Sequence, residues 1–319
     1  MKKKLVELEA RYINLLIDFG FHKVFGEESN KDVLIDFLNE IIREEDRITD
    51  IQYLVPEQLG NSKVDRKAVF DIFCETEKGE YLIVEMQNAK QLFFRDRSIF
   101  YASLPIQKQA PKGIWDYRLK KVYFVAILDF ILFDDFEEDK EHVVERVQLV
   151  RERTNTVYSN KLEFAFVELP KFRKTEEDLD THFDKWLFIL KNLYKLKERP
   201  ASIQGKIFEK VFELSEIKQL TKKDMGKYRK SVLECNDVIN AVACAREEGF
   251  EEGRRKSVLE YSDVHSAVEC AREEGVEKGI ERGIEIVIQK CLQKNMAIED
   301  IIFLTGYSRE QIISYKTRN

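Results

Sequence analysis

The chain has 319 residues, enough for one large domain or two ordinary ones. Hydrophobic residues make up 44% of it, which excludes wholesale disorder, and the 13 Gly and 5 Pro exclude a collagen-like or low-complexity chain. With 53 Lys and Arg against 59 Asp and Glu, the net charge of −6 excludes a generally basic nucleic-acid coat, although a local basic site is still allowed.

The hydrophobic pattern predicts alternating helices and strands over the first 200 residues. The predicted helices lie at 12–45, 91–109 and 176–197. The predicted strands lie at 48–55, 68–75, 81–87, 121–128, 143–151 and 162–169. The run at 121–128 is almost continuously apolar, as in a strand that is buried on both faces. This order of elements indicates a mixed α/β core with helices on both faces of the sheet.

The chain changes character near residue 200, and the remainder is predicted to be helical and very polar. It contains a repeat, because Ser231–Gly253 and Ser257–Gly279 match at 16 of 23 positions with an offset of 26 residues. The narrow apolar stripe of each copy fits a helix pair or a solvated stalk. Residues 286–316 resemble a short helix-turn-helix, with a structural, dimerising or DNA-reading role. We therefore predict one domain at 1–200 and a helical tail at 201–319.

Acidic residues occur on two adjacent predicted strands within 65–87, and Glu77-Lys78-Gly79-Glu80 between the strands predicts a tight turn. Asp71 lies on the first strand, and Glu85 and Gln87 lie two apart on the second, so these last two side chains leave the same face. A buried, unpaired carboxylate is costly or loses its charge, and a divalent ion between Asp71 and Glu85 would remove that cost. Mg²⁺ suits a site with two carboxylates, and such an ion activates water and stabilises charge on a phosphodiester. The pattern therefore predicts a Mg²⁺ site, with Mn²⁺ as a substitute.

Two alternatives compete with this site. Glu85 could instead pair with an arginine such as Arg97 in a structural network, and Asp65 is a rival for Asp71 within a polar loop. The order of elements favours the metal site. An acid on the second strand, Glu-x-polar on the third strand and then a helix form the layout of the restriction-endonuclease-like nucleases.

Four stretches carry a resemblance to a known family: FGFHKVFGEESNKDVLIDFLNEII (19–42), FDIFCETEKGEYLIVEMQ (70–87), FFRDRSIFYASLPIQKQ (93–109) and KKVYFVAILDF (120–130). In these stretches the chain resembles the Rpn family of recombination-promoting nucleases and transposases, within the PD-(D/E)XK nuclease superfamily. The resemblance spans roughly residues 12–200, and the repeated AREEG segments also look like the tail of this family. It implies a restriction-endonuclease-like mixed sheet flanked by helices, an all-helical C-terminal tail and a metal-dependent DNA endonuclease.

The resemblance assigns catalytic roles to three positions. Asp71 matches the central metal-binding acid, and Glu85 matches the second acid, which binds the metal and helps to activate water. Gln87 stands where the superfamily most often has Lys; it can orient a water molecule but brings no charge. This departure keeps a second hypothesis open, namely a catalytically weak or inactive nuclease fold that acts in DNA binding or protein assembly.

Three further positions are candidates for supporting the metal ligands or contacting the phosphate. Asp18 is either an additional acid near the metal or a solvated residue of the first helix region. Arg97 and Tyr101 lie four apart on one predicted helix and so share a face. They could approach the scissile phosphate or brace Glu85, or they could be a surface Arg and a core Tyr.

The remaining expectations concern location and partners. Five cysteines without a Cys-x-x-Cys pair disfavour a disulfide framework or a zinc site and indicate a cytoplasmic protein. The most apolar stretch, 122–133, is too short to span a membrane, which needs about 20 apolar residues. We expect DNA as the partner. We also expect a homo-oligomer through the tail, since one metal centre cuts one strand and the repeats offer a self-complementary stripe. The alternative is a monomer.

Overall fold

The computed structural model describes residues 10–54, 70–111, 113–136, 141–251, 262–294 and 296–316. The strands are β1 (Ile51–Tyr53), β2 (Ile72–Thr76), β3 (Tyr81–Gln87), β4 (Val122–Leu128), β5 (Val144–Arg151) and β6 (Thr156–Glu168). The helices are α1 (Asp18–Phe25), α2 (Lys31–Ile41), α3 (Phe94–Lys108), α4 (His182–Asn192), α5 (Lys206–Ser215), α6 (Lys222–Glu251), α7 (Ser262–Gln293), α8 (Ile298–Thr305) and α9 (Arg309–Lys316).

The six strands form one mixed sheet in the order β1-β2-β3-β4-β6-β5. The pairs β1–β2, β2–β3 and β5–β6 are antiparallel, whereas β3, β4 and β6 run parallel to one another. A parallel neighbour requires a crossover, and α3 supplies it between β3 and β4. The central strand β4 is buried along its whole length, as its apolar run predicts. The predicted fold class, a mixed sheet flanked by helices and followed by a helical region, is confirmed.

The two faces of the sheet bury separate hydrophobic cores. The larger core takes Leu82, Val84 and Met86 from β3 and packs them with apolar residues of α1, α2, α4, α5 and the first half of α6. The smaller core takes Ile83 and packs it with side chains of α3. Because side chains alternate along a strand, Glu85 and Gln87 leave β3 on the α3 side.

The single helix predicted over 12–45 is wrong. Tyr12 bridges to Glu216, the backbone N–H of Ile13 donates to the carbonyl of Ser215 at 2.8 Å, and the chain then turns at Leu15 and Leu16. Helix α1 begins only at Asp18 and ends before Gly26, and a short 3-10 turn then precedes α2. Ile13, Leu15, Leu16 and Ile17 are all buried, so this irregular segment has the composition of a core helix without forming one.

Other predicted elements have the right type but different bounds. The hairpin between β2 and β3 turns at Glu77 and Lys78, with Gly79 in the left-handed region at φ 71°, as the turn sequence predicts. The strand predicted at 48–55 is shortened to β1, and β6 begins six residues before its predicted start. The helix predicted at 176–197 is α4 flanked by 3-10 turns at each end.

The described residues form two compact units, one ending at Ile239 and the other beginning at Asn240. In the second unit Ile288 of α7, Ile301 of α8 and Ile312 of α9 form a small core. Gly306 links α8 to α9 at φ 73°, which confirms the predicted helix, Gly turn and helix. The domain boundary near residue 200 concerns independent folding and stays a prediction, as does homo-oligomerisation through the tail.

Among the described residues, no helix is both long enough and apolar enough to cross a membrane.

Candidate metal centre and active site

The β2–β3 hairpin places Asp71 opposite Glu85. Ile72 pairs with Val84, so the next residue outward on each strand brings Asp71 level with Glu85. Asp71 precedes β2 by one residue, and its Oδ2 accepts a hydrogen bond of 2.7 Å from the backbone N–H of Met86. The strand pairing thus brings together the two carboxylates that the sequence singled out.

Glu85 is almost fully buried, with 1% of its surface exposed, yet its charge is poorly compensated. Its Oε2 lies 3.5 Å from Nε2 of Gln87 and 3.9 Å from Nη2 of Arg97, both long contacts. Its Oε1 is buried and accepts no hydrogen bond from any residue that the structure describes. The arginine pairing considered from the sequence is therefore present only as a distant contact, which leaves one carboxylate oxygen unsatisfied.

The pKa values of both carboxyl groups reflect this environment. Burial raises the pKa of Asp71 to about 7, and the charge of Asp18 adds to the rise, whereas the Met86 N–H and the charge of Arg97 oppose it. Burial, followed by the neighbouring Asp71 carboxylate, raises the pKa of Glu85 well above its usual range. Two carboxylates that resist ionisation side by side form a pair that a divalent cation would stabilise.

A ring of amide and guanidinium groups closes the site on the α3 side. Nη1 of Arg97 donates to Oε1 of Gln91 at 2.7 Å, and Nε2 of Gln91 donates to Oε1 of Gln87 at 3.2 Å. Gln87 in turn points its Nε2 at Glu85. Gln91 was not among the predicted site residues, because it lies in the irregular segment between β3 and α3. No periodicity there indicates which side chain turns back toward the sheet.

Arg97 and Tyr101 share a face of α3, as their spacing predicts. The Arg97 guanidinium lies over the Tyr101 ring at 4.9 Å from its centroid, and the Tyr101 ring packs edge-on against Phe70 at 5.1 Å. The aromatic pair thus supports Arg97 beside Glu85. A guanidinium in this position can contact an anion that approaches the carboxylate pair.

Asp18 is the first residue of α1 and faces the same region, since its charge raises the pKa of Asp71. Burial and then the charge of Glu234 raise the pKa of Asp18 itself. A Cβ on Gly20 would lie 1.9 Å from the carbonyl oxygen of Asn14, so only glycine allows α1 to pack this closely on the preceding segment. This close approach fixes the start of α1, where Asp18 lies, against residues 14 and 15.

The first half of α6 forms part of the rim, which the sequence did not indicate. The hydroxyl of Ser231 accepts a 3.2 Å hydrogen bond from the Phe19 N–H, and Nδ2 of Asn88 lies 3.3 Å from Sγ of Cys235. Glu234 lies between these two α6 residues in the chain. The first sequence repeat thus starts against the candidate site. The rival Asp65 lies outside the described residues.

The residues present fit a divalent cation. Asp71 and Glu85 offer oxygen ligands, and the unsatisfied Oε1 of Glu85 is an acceptor with no protein donor among the described residues. No third His, Cys, Asp or Glu joins the pair in a cluster within that part of the chain. Mg²⁺ is commonly held by one or two carboxylates and keeps several waters, so this donor set suits it.

Comparison with known proteins adds one match. A family model described as PD-(D/E)XK nuclease family transposase matches residues 15–245, which is more than two thirds of the chain. No curated protein and no solved structure matches the chain. The matched range contains the whole sheet, α1 to α5 and most of α6.

Proposed function

The chain belongs to the family of PD-(D/E)XK nuclease family transposases, and from that premise we propose that it is a metal-dependent endonuclease that hydrolyses phosphodiester bonds in DNA. Nuclease-type function and a general use of divalent metals follow from the family. The choice of Mg²⁺, the residues that hold it and endonuclease action on DNA are the proposal.

One observation carries the proposal. Glu85 keeps a buried oxygen without a donor, directly across the hairpin from a second carboxylate whose pKa is also raised. A structural carboxylate with this burial would be expected to have donors or a close counter-charge. The missing donor and the paired acids therefore support the proposal that Asp71 and Glu85 are ligands for a cation.

In this proposal each residue has a defined task. Asp71 and Glu85 hold the ion, and a bound divalent ion would supply an activated water and stabilise charge on the phosphodiester. Gln87 orients the water near Glu85 through its amide, and Gln91 fixes that amide by donating to its oxygen. Arg97 offers a positive charge to the phosphate. Asp18 adds negative charge at the edge of the site, which favours cation binding.

The arrangement also explains how a glutamine can stand where a lysine is usual. Gln87 brings no charge, but the guanidinium of Arg97 lies 3.9 Å from Glu85 and is linked to Gln87 through Gln91. Arg97 thus supplies positive charge to the same side of the site. The proposed division of labour gives positioning to Gln87 and electrostatic stabilisation to Arg97.

Plasmid cleavage tests the proposal. Supercoiled DNA is incubated with the full chain and Mg²⁺ or Mn²⁺, beside Asp71→Asn, Glu85→Gln and the control Asp180→Asn, which changes an exposed carboxylate far along the sequence. We expect nicking or linearisation by the wild type and the control, and a loss of about 10²-fold or more in the two site variants. The proposal would be contradicted if Asp71→Asn cut DNA at the wild-type rate. It would also be contradicted if none of the proteins cut DNA with either ion. DNA binding without cleavage would then favour a non-catalytic module.

A further inference from the structure

Helix α3 presents an unusual stripe next to the carboxylate pair. Arg97 and Phe100 lie three apart on α3 and so share a face, and Phe93 is the residue immediately before the helix, four positions ahead of Arg97. Phe93 is 73% exposed and Phe100 is 50% exposed, while Arg97 between them points toward Glu85. Two phenyl rings in solvent thus flank a basic group that lies 3.9 Å from Glu85, one of the proposed metal ligands.

The backbone holds Phe93 in an unfavourable conformation. Its φ is 60°, in the left-handed region that a bulky residue rarely adopts. The Phe93 carbonyl nevertheless starts the helix by accepting the 2.9 Å hydrogen bond from the Arg97 N–H. The strain does not serve core packing, because the ring is in solvent. Strained positions of this kind concentrate at functional sites.

The charge around the stripe is opposite to that of the whole chain. Residues 88–120 contain seven Lys or Arg against two Asp, a net charge of +5, whereas the full chain carries −6. Arg95, Lys108 and Lys120 are exposed within this segment. Tyr117 in the loop after α3 is a second exposed aromatic residue with positive φ, at 57°. Aromatic rings among basic residues form the surface that binds single-stranded nucleic acid.

We propose that Phe93 and Phe100 stack on unpaired bases of the DNA on either side of the phosphate that Arg97 contacts, so that the substrate is single-stranded or locally unpaired DNA. This inference rests on the proposed nuclease function and names its substrate class. Seven residues of helix span about 10 Å, which matches roughly three stacked nucleotides. Bases within an intact duplex stack on each other and offer no free face to either ring.

A second copy of the chain is a poorer occupant of this surface. A two-fold contact would place the same segment of each copy against the other, and each segment carries a net charge of +5. Like charges brought together in this way repel, whereas the phosphate backbone of DNA complements them. The stripe also continues directly to the carboxylate pair through Arg97, as expected for a substrate surface.

Fluorescence anisotropy with the full chain in EDTA tests the inference without any cleavage. The probes are a labelled 20-nucleotide single strand of mixed sequence and the blunt duplex made from it. The variants are Phe93→Asn, in which Asn tolerates the left-handed conformation, and Phe100→Asn. The control is Tyr158→Asn on β6, which removes a ring that is 75% exposed, close to the exposure of Phe93.

We expect the wild type to bind the single strand at least about tenfold more tightly than the duplex. Each Phe variant should lose about five- to tenfold in single-strand affinity and less than about twofold in duplex affinity, and the control should match the wild type. A duplex preference, or unchanged single-strand binding in both Phe variants, would overturn the inference. The inference would also be overturned if light scattering showed a dimer for the wild type and a monomer for the Phe variants. In that case the two rings would pack against a second copy of the chain.

The binding experiment tests the substrate class independently of the cleavage assay, which tests the nuclease function. Single-strand binding that depends on the two rings, in a protein that cuts no DNA with either ion, would overturn the nuclease proposal and leave this surface assigned. Metal-dependent cutting together with ring-independent binding would overturn only the substrate class.

Discussion

Two buried glutamates on the same face of the sheet have contrasting environments. Glu85 on β3 and Glu168 at the end of β6 are 1% and 0% exposed, and the strand register places Glu168 in the same row as Gln87, two strands away. Glu168 accepts hydrogen bonds from the backbone N–H groups of Leu132 and Phe133 and lies 2.6 Å from Nζ of Lys171. Glu85 has a second carboxylate opposite, a guanidinium at 3.9 Å and one oxygen without a donor.

The difference separates a structural carboxylate from a functional one. The protein meets the cost of burying Glu168 with donors that fold into place around it, which fixes the loop after β4. At Glu85 the same fold provides burial without compensation. Oε2 of Glu168 also accepts no hydrogen bond among the described residues, but it has the ammonium of Lys171 at 2.6 Å. Burial alone therefore does not identify a site, but burial without a close counter-charge and beside a like-charged neighbour does.

The largest expected effect is a loss of stability when Glu168, the structural carboxylate, is replaced. Glu168→Gln leaves the buried Lys171 without its counter-charge, so we expect the free energy of unfolding to fall by about 3–5 kcal/mol. Glu85→Gln removes a carboxylate from a like-charged pair, so the metal-free protein should lose no more than about 0.5 kcal/mol. Urea unfolding of the two variants at pH 8 in EDTA measures both changes.

The double variant Glu168→Gln with Lys171→Met serves as the control. It removes both charges, so it should recover a large part of the loss caused by Glu168→Gln alone. Equal losses of unfolding free energy in Glu85→Gln and Glu168→Gln would show that the two glutamates contribute equally to stability. That result would contradict the distinction between a functional and a structural carboxylate.

A smaller effect is expected in the pH dependence of metal binding. Burial raises the pKa of Asp71 to about 7, so this group is mostly protonated at pH 6 and mostly ionised at pH 8. A metal ligand must lose its proton, so Mg²⁺ affinity should rise with pH, by about tenfold over this range from Asp71 alone. Calorimetric titrations at pH 6, 7 and 8 and constant ionic strength measure the trend. A flat profile would place the binding carboxylates elsewhere.

The smallest effect concerns Asp18. Its negative charge contributes to the raised pKa of Asp71, so Asp18→Asn should lower that pKa, by less than about one unit. The rise in Mg²⁺ affinity would then begin at lower pH. Asp180→Asn removes an exposed carboxylate outside the site and should leave the profile in place. A complete loss of metal binding in Asp18→Asn would make this residue a third ligand and sharpen the description of the site.

The predictions made from the sequence were correct where local periodicity determines the geometry. The alternation along β3 put Glu85 and Gln87 on one face, and the four-residue spacing on α3 put Arg97 beside Tyr101. The turn at Gly79 predicted the hairpin that brings Asp71 opposite Glu85. These relations follow from strand and helix geometry and need no knowledge of the rest of the fold.

The predictions were wrong or incomplete where contacts between distant parts of the chain determine the structure. Residues 12–17 have the composition of a helix, but Tyr12 and Ile13 pair with the end of α5 and the residue after it, and the chain then turns at Leu15 and Leu16. Gln91 completes the polar ring from an irregular segment, and Glu234 comes to the rim from a helix that belongs to a polar repeat. No pattern in the sequence links positions so far apart, which is why these residues became visible only in the fold.

Titration of Mn²⁺ into the full chain by isothermal calorimetry tests the central claim most directly, since it asks whether Asp71 and Glu85 bind a cation. At pH 8 we predict a binding isotherm for the wild type and for Asp180→Asn, and its loss in Asp71→Asn and in Glu85→Gln. Circular dichroism of each variant checks that the fold is retained. Binding of equal strength in all four proteins, or in none of them, would contradict the account.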